Sequence, residues 1–314
     1  MTNFSTTVNT TVSSNTINTT TVAVHGGIFH CDDVLCVALA RLLGEVKVAR
    51  LDRAYAGDYS EFAYILDVGG KYDGDRFFDH HQRDCPCYED GRRHCAASLF
   101  WGVKGEQICS SFTSDKEVAT EMVSRFAEIL EGIAHRDNGE LNGEDEAVYS
   151  ISAAVKDFNS PKPFGPQQDQ AFAEAVFFAE AWLKSWLKSQ AARLPGVLEM
   201  KKVVADNLTD SPILALPKGG AWQEALLTNP QADHIKCVCY PAFEQGQWSV
   251  QAVPVALGSQ ESRLLAPKEL RGAPAGTIVG GQKLVFCHPS GFLMKVEAAN
   301  AAEAIKAAEA WLVE

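Results

Sequence analysis

The chain has 314 residues, 46% apolar and 22% charged, with a formal net charge of -12 at pH 7. That length predicts two domains rather than one core, and no apolar run is long enough to span a membrane. The negative charge argues against a broad basic face for sequence-independent nucleic-acid binding, although bound metal can give a local site the positive charge that a phosphate needs.

Residues 1–21 are mostly Thr, Ser and Asn with no charged side chain, and are expected to form a disordered tail. Nine scattered cysteines, with no basic-then-apolar export segment, fit a reducing, cytoplasmic setting better than a disulfide framework. A strand is expected at 21–24, running into His25-Gly26-Gly27, and Asp32 is the expected N-cap of an apolar helix over 34–43. Further strands are expected at 47–51 and 64–68, the latter carrying Asp67 near its end, and Phe77-Phe78 leads into Asp79-His80-His81. Helical spacing at Val118, Met122, Phe126 and Ile129 predicts a helix over 116–132, followed by Arg136-Asp137-Asn138-Gly139. A long helix over 169–192 should end at the Pro195-Gly196 boundary. Beyond it, strands are expected at 197–200, 213–216, 235–240, 248–255 and 283–288, with a last helix over 298–313. The fold class is therefore α/β: a mainly parallel sheet flanked by helices over 22–195, plus a smaller α+β domain over 196–314.

His25, Asp67 and His80 each stand where a strand should end, which is where open parallel sheets bind ligands. Taken singly, an Asp after a strand is a cap and a His is a satisfied polar group. His25, His30, Asp32, Asp67, His80 and Asp137 together are hard to read as packing. Mixed imidazole and carboxylate donors suit two divalent ions, Mn²⁺ first and Mg²⁺ second, sharing one carboxylate and clamping a phosphoryl centre. Cys85, Cys87, His94 and Cys95 offer zinc-type donors, but at an irregular spacing. Trp182 and Trp186, four residues apart, are expected in the core or at a domain interface.

The order His25-x4-His30-x-Asp32, Asp67-Val68-Gly69-Gly70, Asp79-His80-His81 and Asp137-Asn138-Gly139 resembles the DHH phosphoesterases. Within them it resembles most the Myg-type exonuclease family (melanocyte proliferating gene). Later matching stretches are 248–254, 267–272 and 288–292. The resemblance implies a DHH-type domain and a metal-dependent exonuclease acting on RNA or short oligonucleotides. It assigns His25 and His30 to one metal and Asp32, His80 and Asp137 to the other, with Asp67 bridging. His81 would contact the scissile phosphate with help from Arg83, and Asp79 is placed among the catalytic residues as the one that orients His80. Arg136, Lys268, Arg271, His288 and Gly291 are the expected substrate-binding residues. A homodimer is left open. The family usually has Asn where Gly26 stands, which predicts a looser metal loop, and Gly-Gly where this chain has Met294-Lys295, in a segment expected to face the substrate. Two other functions stay open: hydrolysis of a small phosphoanhydride such as pyrophosphate, and a regulatory metal-binding protein without catalysis.

Overall fold

The computed structural model describes residues 19–141 and 150–312. The disordered-tail expectation therefore falls outside the described residues up to position 18, and Thr20-Thr21 already belong to a strand. The chain divides into two compact units between Ala191 and Ala192.

The first unit holds a four-stranded, all-parallel sheet in the order β2-β1-β3-β4, with β1 Thr20–His25, β2 Val46–Leu51, β3 Tyr64–Leu66 and β4 Phe77–Phe78. Its inner strands are short and apolar, as strands buried on both faces must be. Helices α1 (Cys31–Leu43), α2 (Ala96–Ser110) and α3 (Lys116–Asp137) supply the packing, with Leu35, Leu39, Phe78, Phe100, Phe126 and Leu130 fully buried. A short helix α4 (Ile151–Lys156) precedes the 42-residue α5 (Pro166–Asn207). Trp101, Trp182 and Trp186 all pack on the buried Phe126 ring, so the half-buried tryptophan pair lies against the core of this unit.

Helix α2 was not expected. Its N-terminal residues Ala96–Trp101 are all buried, so it shows no apolar stripe against a polar face. The strand expected at 197–200 is helix, and Pro195-Gly196 lie inside α5 rather than at its end. Leu194, Val197, Met200 and Val204 are buried at helical spacing there, and that packing outweighs the break that Pro favours.

The second unit is a six-stranded mixed sheet in the order β5-β6-β7-β10-β9-β8. Its strands are β5 Ile213–Ala215, β6 Cys237–Pro241, β7 Gln247–Ala252, β8 Ile278–Val279, β9 Gln282–Cys287 and β10 Leu293–Glu297. Only β5 and β6 pair in parallel. One face packs on α7 (Ala301–Glu309) through Ala304, Ala307, Ala308 and Trp311. The other covers Trp222 and Leu226 of α6 (Trp222–Leu227) together with Met200 and Val204. Cys237 and Cys239 point to the α7 face and are wholly buried. The 293–297 segment is a strand hydrogen-bonded on both sides, with Met294 buried opposite Val250 and Cys287.

Candidate metal centre

The carboxyl ends of the parallel strands converge. His25 ends β1, Asp67 follows β3, and Asp79 and His80 follow β4. Asp32 and Asp33 lie in the first turn of α1, and Asp137 is the last residue of α3. Asp67 is the one non-glycine described with positive φ, 55°. An Asp tolerates that conformation at a modest cost, and here it turns the chain so that the carboxylate faces back over the sheet edge.

Asp67 is the hub. One oxygen is 3.1 Å from His25 Nε2; the other is 3.2 Å from His80 Nε2 and 3.5 Å from His81 Nδ1. His80 Nε2 also lies 3.5 Å from Asp32 and 3.4 Å from Asp137, and His30 Nδ1 is 3.6 Å from Asp137. All six residues expected to bind metal are thus brought together. Their grouping differs from the division that the resemblance implies. At this centre, three sets have donor atoms mutually within 4.8 Å: His25 with Asp33 and Asp67, His30 with Asp32 and Asp137, and Asp67 with His80 and His81. His30 keeps company with Asp32 and Asp137 rather than with His25.

These donors fit cations. Both oxygens of Asp32 and of Asp67, Oδ2 of Asp33 and both ring nitrogens of His80 are buried without a hydrogen bond of proper geometry. Leaving such groups unpaired is costly unless a charge of opposite sign sits among them. His25 Nδ1 lies 2.9 Å from the Gly26 carbonyl; with that nitrogen assigned as donor, the Nε2 lone pair faces the Asp33 and Asp67 carboxylates. Lone pair against carboxylate is repulsive, so a proton or a metal ion belongs between them.

The electrostatics agree. Burial opposes charge on His25, but Asp33 and Asp67 outweigh it and raise its pKa to about 10. Burial likewise opposes charge on His80, and Asp67 and Asp137 outweigh it, raising its pKa. Burial first, and then Asp67 and Asp137, push Asp32 well above the usual carboxylate range. Burial and Asp67 raise Asp137 in the same way. Burial would raise Asp67 too, but His25 and His80 more than cancel it and hold its carboxyl below the usual range. Four carboxylates facing two readily charged imidazoles leave an excess of negative charge for metal ions to offset.

Asp32 does not cap α1 as expected. The N-cap is His30, and Asp33 at the third helical position accepts from the His30 and Val34 amides through Oδ1, while Asp32 is left free to face His80. Asp79 serves His81, not His80. Its Oδ1 lies 2.7 Å from His81 Nδ1 and accepts the His81 amide, while Oδ2 accepts the Gly70 amide. Burial works against an ionised Asp79, but His81 and the two amides hold its pKa below the usual range. Asp79 and His81 line a cleft of about 570 Å³ with Asp67, Gly69, Gly70, Tyr55 and Arg53. Arg136 lines a second cleft of about 400 Å³ with His30, Asp137 and Lys156. Arg83 is exposed.

The Gly26 loop is tied by several long-range hydrogen bonds. The Gly26 amide donates to Leu51, the Gly27 carbonyl accepts from Arg50 and Gln168, and Asn159 brackets both backbone groups of Phe29. Arg50, Asn159 and Gln168 had no local sequence signal, because they act from 23 to 141 positions away from the carbonyls and amides they hold. Arg53, whose guanidinium comes 3.4 Å from His25 Nε2, was missed as well.

In the second unit, His288 lines a cleft of about 650 Å³ with Gln251, Ser290 and Phe292. Arg271 Nε donates to the Ala266 carbonyl and the side chain lies against Gly291, whose positive φ and lack of Cβ permit that approach. Lys268 is exposed in a 3-10 turn. Cys85, Cys87, His94 and Cys95 form no three-donor group among the described residues.

The fold and this centre define a mixed α/β protein whose buried His and Asp clusters could hold metal. The chain matches the family described as MYG1_exonuc, uncharacterised protein family UPF0160, over residues 21–310, and it belongs to that MYG1 exonuclease family. It is 31% identical to the MYG1 exonuclease of Bos taurus over 307 residues, covering 87% of this chain and 80% of the bovine one. It is 30% identical to the MYG1 exonuclease of Homo sapiens, over 87% of this chain and 81% of the human one. With the MYG1 protein of Schizosaccharomyces pombe it shares 27% identity, over 88% and 93%. No solved structure gives a significant match. Among the described residues, no helix is long and apolar enough to cross a membrane.

Proposed function

We propose that this chain is a metal-dependent phosphodiesterase of the DHH type, an exonuclease acting on RNA or short oligonucleotides with two divalent ions, Mn²⁺ or Mg²⁺. The observation that carries it is the set of buried, unpaired oxygens of Asp32, Asp33 and Asp67 gathered with His25 and His80 at the carboxyl edge of a parallel sheet. The exonuclease names of the mammalian relatives support the substrate class.

His25, His30, Asp32, Asp67, His80 and Asp137 would hold the ions, and Asp33 is placed to join them beside His25. When bound, divalent ions supply the Lewis acidity that activates water and offsets charge on a phosphoryl group. The remaining work falls to this chain's own residues. Asp79 fixes the His81 ring at the mouth of the 570 Å³ cleft, where it can donate to a phosphoryl oxygen. Arg53 and Arg136 place positive charge on the two clefts that flank the centre. All nine cysteines are free, which supports a cytoplasmic setting.

The test is hydrolysis of an end-labelled oligoribonucleotide, pyrophosphate and a small nucleotide, each with Mn²⁺ and with chelator. Mn²⁺-dependent release of nucleotides from the oligonucleotide is the expected result. Cleavage of pyrophosphate alone, or of nothing, overturns the reading.

A further inference from the structure

Two large apolar side chains stand uncovered beside the metal loop: Phe164 is 70% exposed and Ile28 54%. With Pro163, Gly26 and Gly27 they wall a pocket of about 470 Å³, and His30, Asp52 and Arg53 complete its lining. That volume is within the ordinary range for small-ligand sites. We infer that this pocket seats the nucleobase next to the phosphate under attack, with Phe164 as its stacking surface. The inference rests on the phosphodiesterase reading and names how that site grips its substrate.

Three observations support it. The pocket adjoins the centre, because His30 belongs both to its wall and to the cluster with Asp32 and Asp137. The Phe164 ring is pre-set: it rests on the Gly27 backbone, where a Cβ would come within 3.1 Å of the ring. Its segment, Pro161-Lys162-Pro163-Phe164-Gly165-Pro166, is stiffened by three prolines and tied to α5 where the Gln168 and Asp169 amides donate to the Gly165 carbonyl. An aromatic held this way loses little entropy when a base lies on it. Lastly, Arg53 lines both this pocket and the cleft of Asp67, Asp79 and His81, so a cation stands where the sugar-phosphate backbone would pass from base seat to metal centre. A base fits these walls because it presents an apolar face to Phe164 and is joined to an anion for Arg53. Stacking accepts every base, so the seat should show little sequence preference.

The experiment compares wild type, Phe164→Ala and Phe164→Tyr. One readout is the quench of 2-aminopurine fluorescence in a short oligonucleotide with non-hydrolysable methylenephosphonate linkages, the probe base being placed at either end in turn. The other is the ratio of kcat/KM for an oligoribonucleotide with a normal terminal base to that for the same chain ending in an abasic ribose. Wild type should quench and should prefer the base-bearing end. Phe164→Ala should lose the quench and about tenfold or more of the preference, and Phe164→Tyr should keep both. An Ala variant that retains quench and preference overturns the inference. So does a wild-type dimer that dissociates on the Ala change with the preference intact, which would assign the face to a second copy of the chain. If wild type quenches but cleaves neither substrate, the base seat stands and the phosphodiesterase reading falls.

Discussion

Asp67→Asn removes the charge on which the centre converges while keeping the side chain's size. The wild-type carboxylate reaches His25 Nε2 at 3.1 Å with one oxygen and His80 Nε2 at 3.2 Å with the other, so it touches both halves of the cluster. A cation bound there stabilises the folded protein by mass action, by about 2.7 kcal/mol at a free concentration about one hundred times its Kd. For a unit of this size that corresponds to roughly 5–11 °C in melting temperature. Losing a supporting partner of a metal site costs roughly ten- to a hundredfold in affinity, and a shared ligand should cost at least the upper figure. At the same Mn²⁺ concentration the Asn variant then sits near its own Kd, where the gain falls to about 0.4 kcal/mol and the shift to roughly 1–2 °C. Differential scanning calorimetry of chelator-stripped protein, with and without Mn²⁺, reads the shift itself, so any change in the metal-free melting temperature cancels. Hydrolysis should fall by at least about a hundredfold in parallel. An Asn variant that keeps both the full Mn²⁺ shift and wild-type turnover refutes the placement of metal at Asp67.

Three other outcomes follow from the same coordinates. In metal-stripped protein, the His25 pKa is raised from 6.5 to about 10, so its contribution is complete below pH 6.5 and is lost as pH climbs towards 10. The raised pKa of Asp32 acts in the same direction, so the metal-free melting temperature should fall across that window; a flat or rising profile contradicts the buried cluster. Asn159→Ala removes the bonds to both backbone groups of Phe29 and the contact with Gln168. Calorimetric titration should show Mn²⁺ affinity down by roughly ten- to a hundredfold, and an unchanged Kd would mean that the loop holds its shape without Asn159. Gly280→Ala drives a Cβ into the Lys306 carbonyl of α7 from a backbone at φ 54°. A urea titration should show a loss of about 2–5 kcal/mol, and a loss below about 1 kcal/mol would show that α7 yields freely.

Sequence alone determined which kinds of side chain end the buried strands. Apolar runs stop at His25, before Asp67 and before Asp79-His80 because a strand buried on both faces must be apolar until it leaves the sheet. A parallel sheet then gathers those ends at one edge, so six donors far apart in the chain could be named before any coordinate was known. Tertiary structure decided everything that depends on angle and distance. Asp32 and Asp33 are chemically identical neighbours, and only the helix rotation between them makes one bond the amide of the N-cap His30 and the other a partner of His80. His30 joins Asp137 rather than His25 because α3 delivers its last residue to that side. Asn159, Gln168 and Phe164 reach the metal loop across more than a hundred residues, and α5 continues through Pro195 because buried packing outweighs a local break. Local pattern records burial and periodicity. It holds no record of which distant side chains fill the space that those elements enclose.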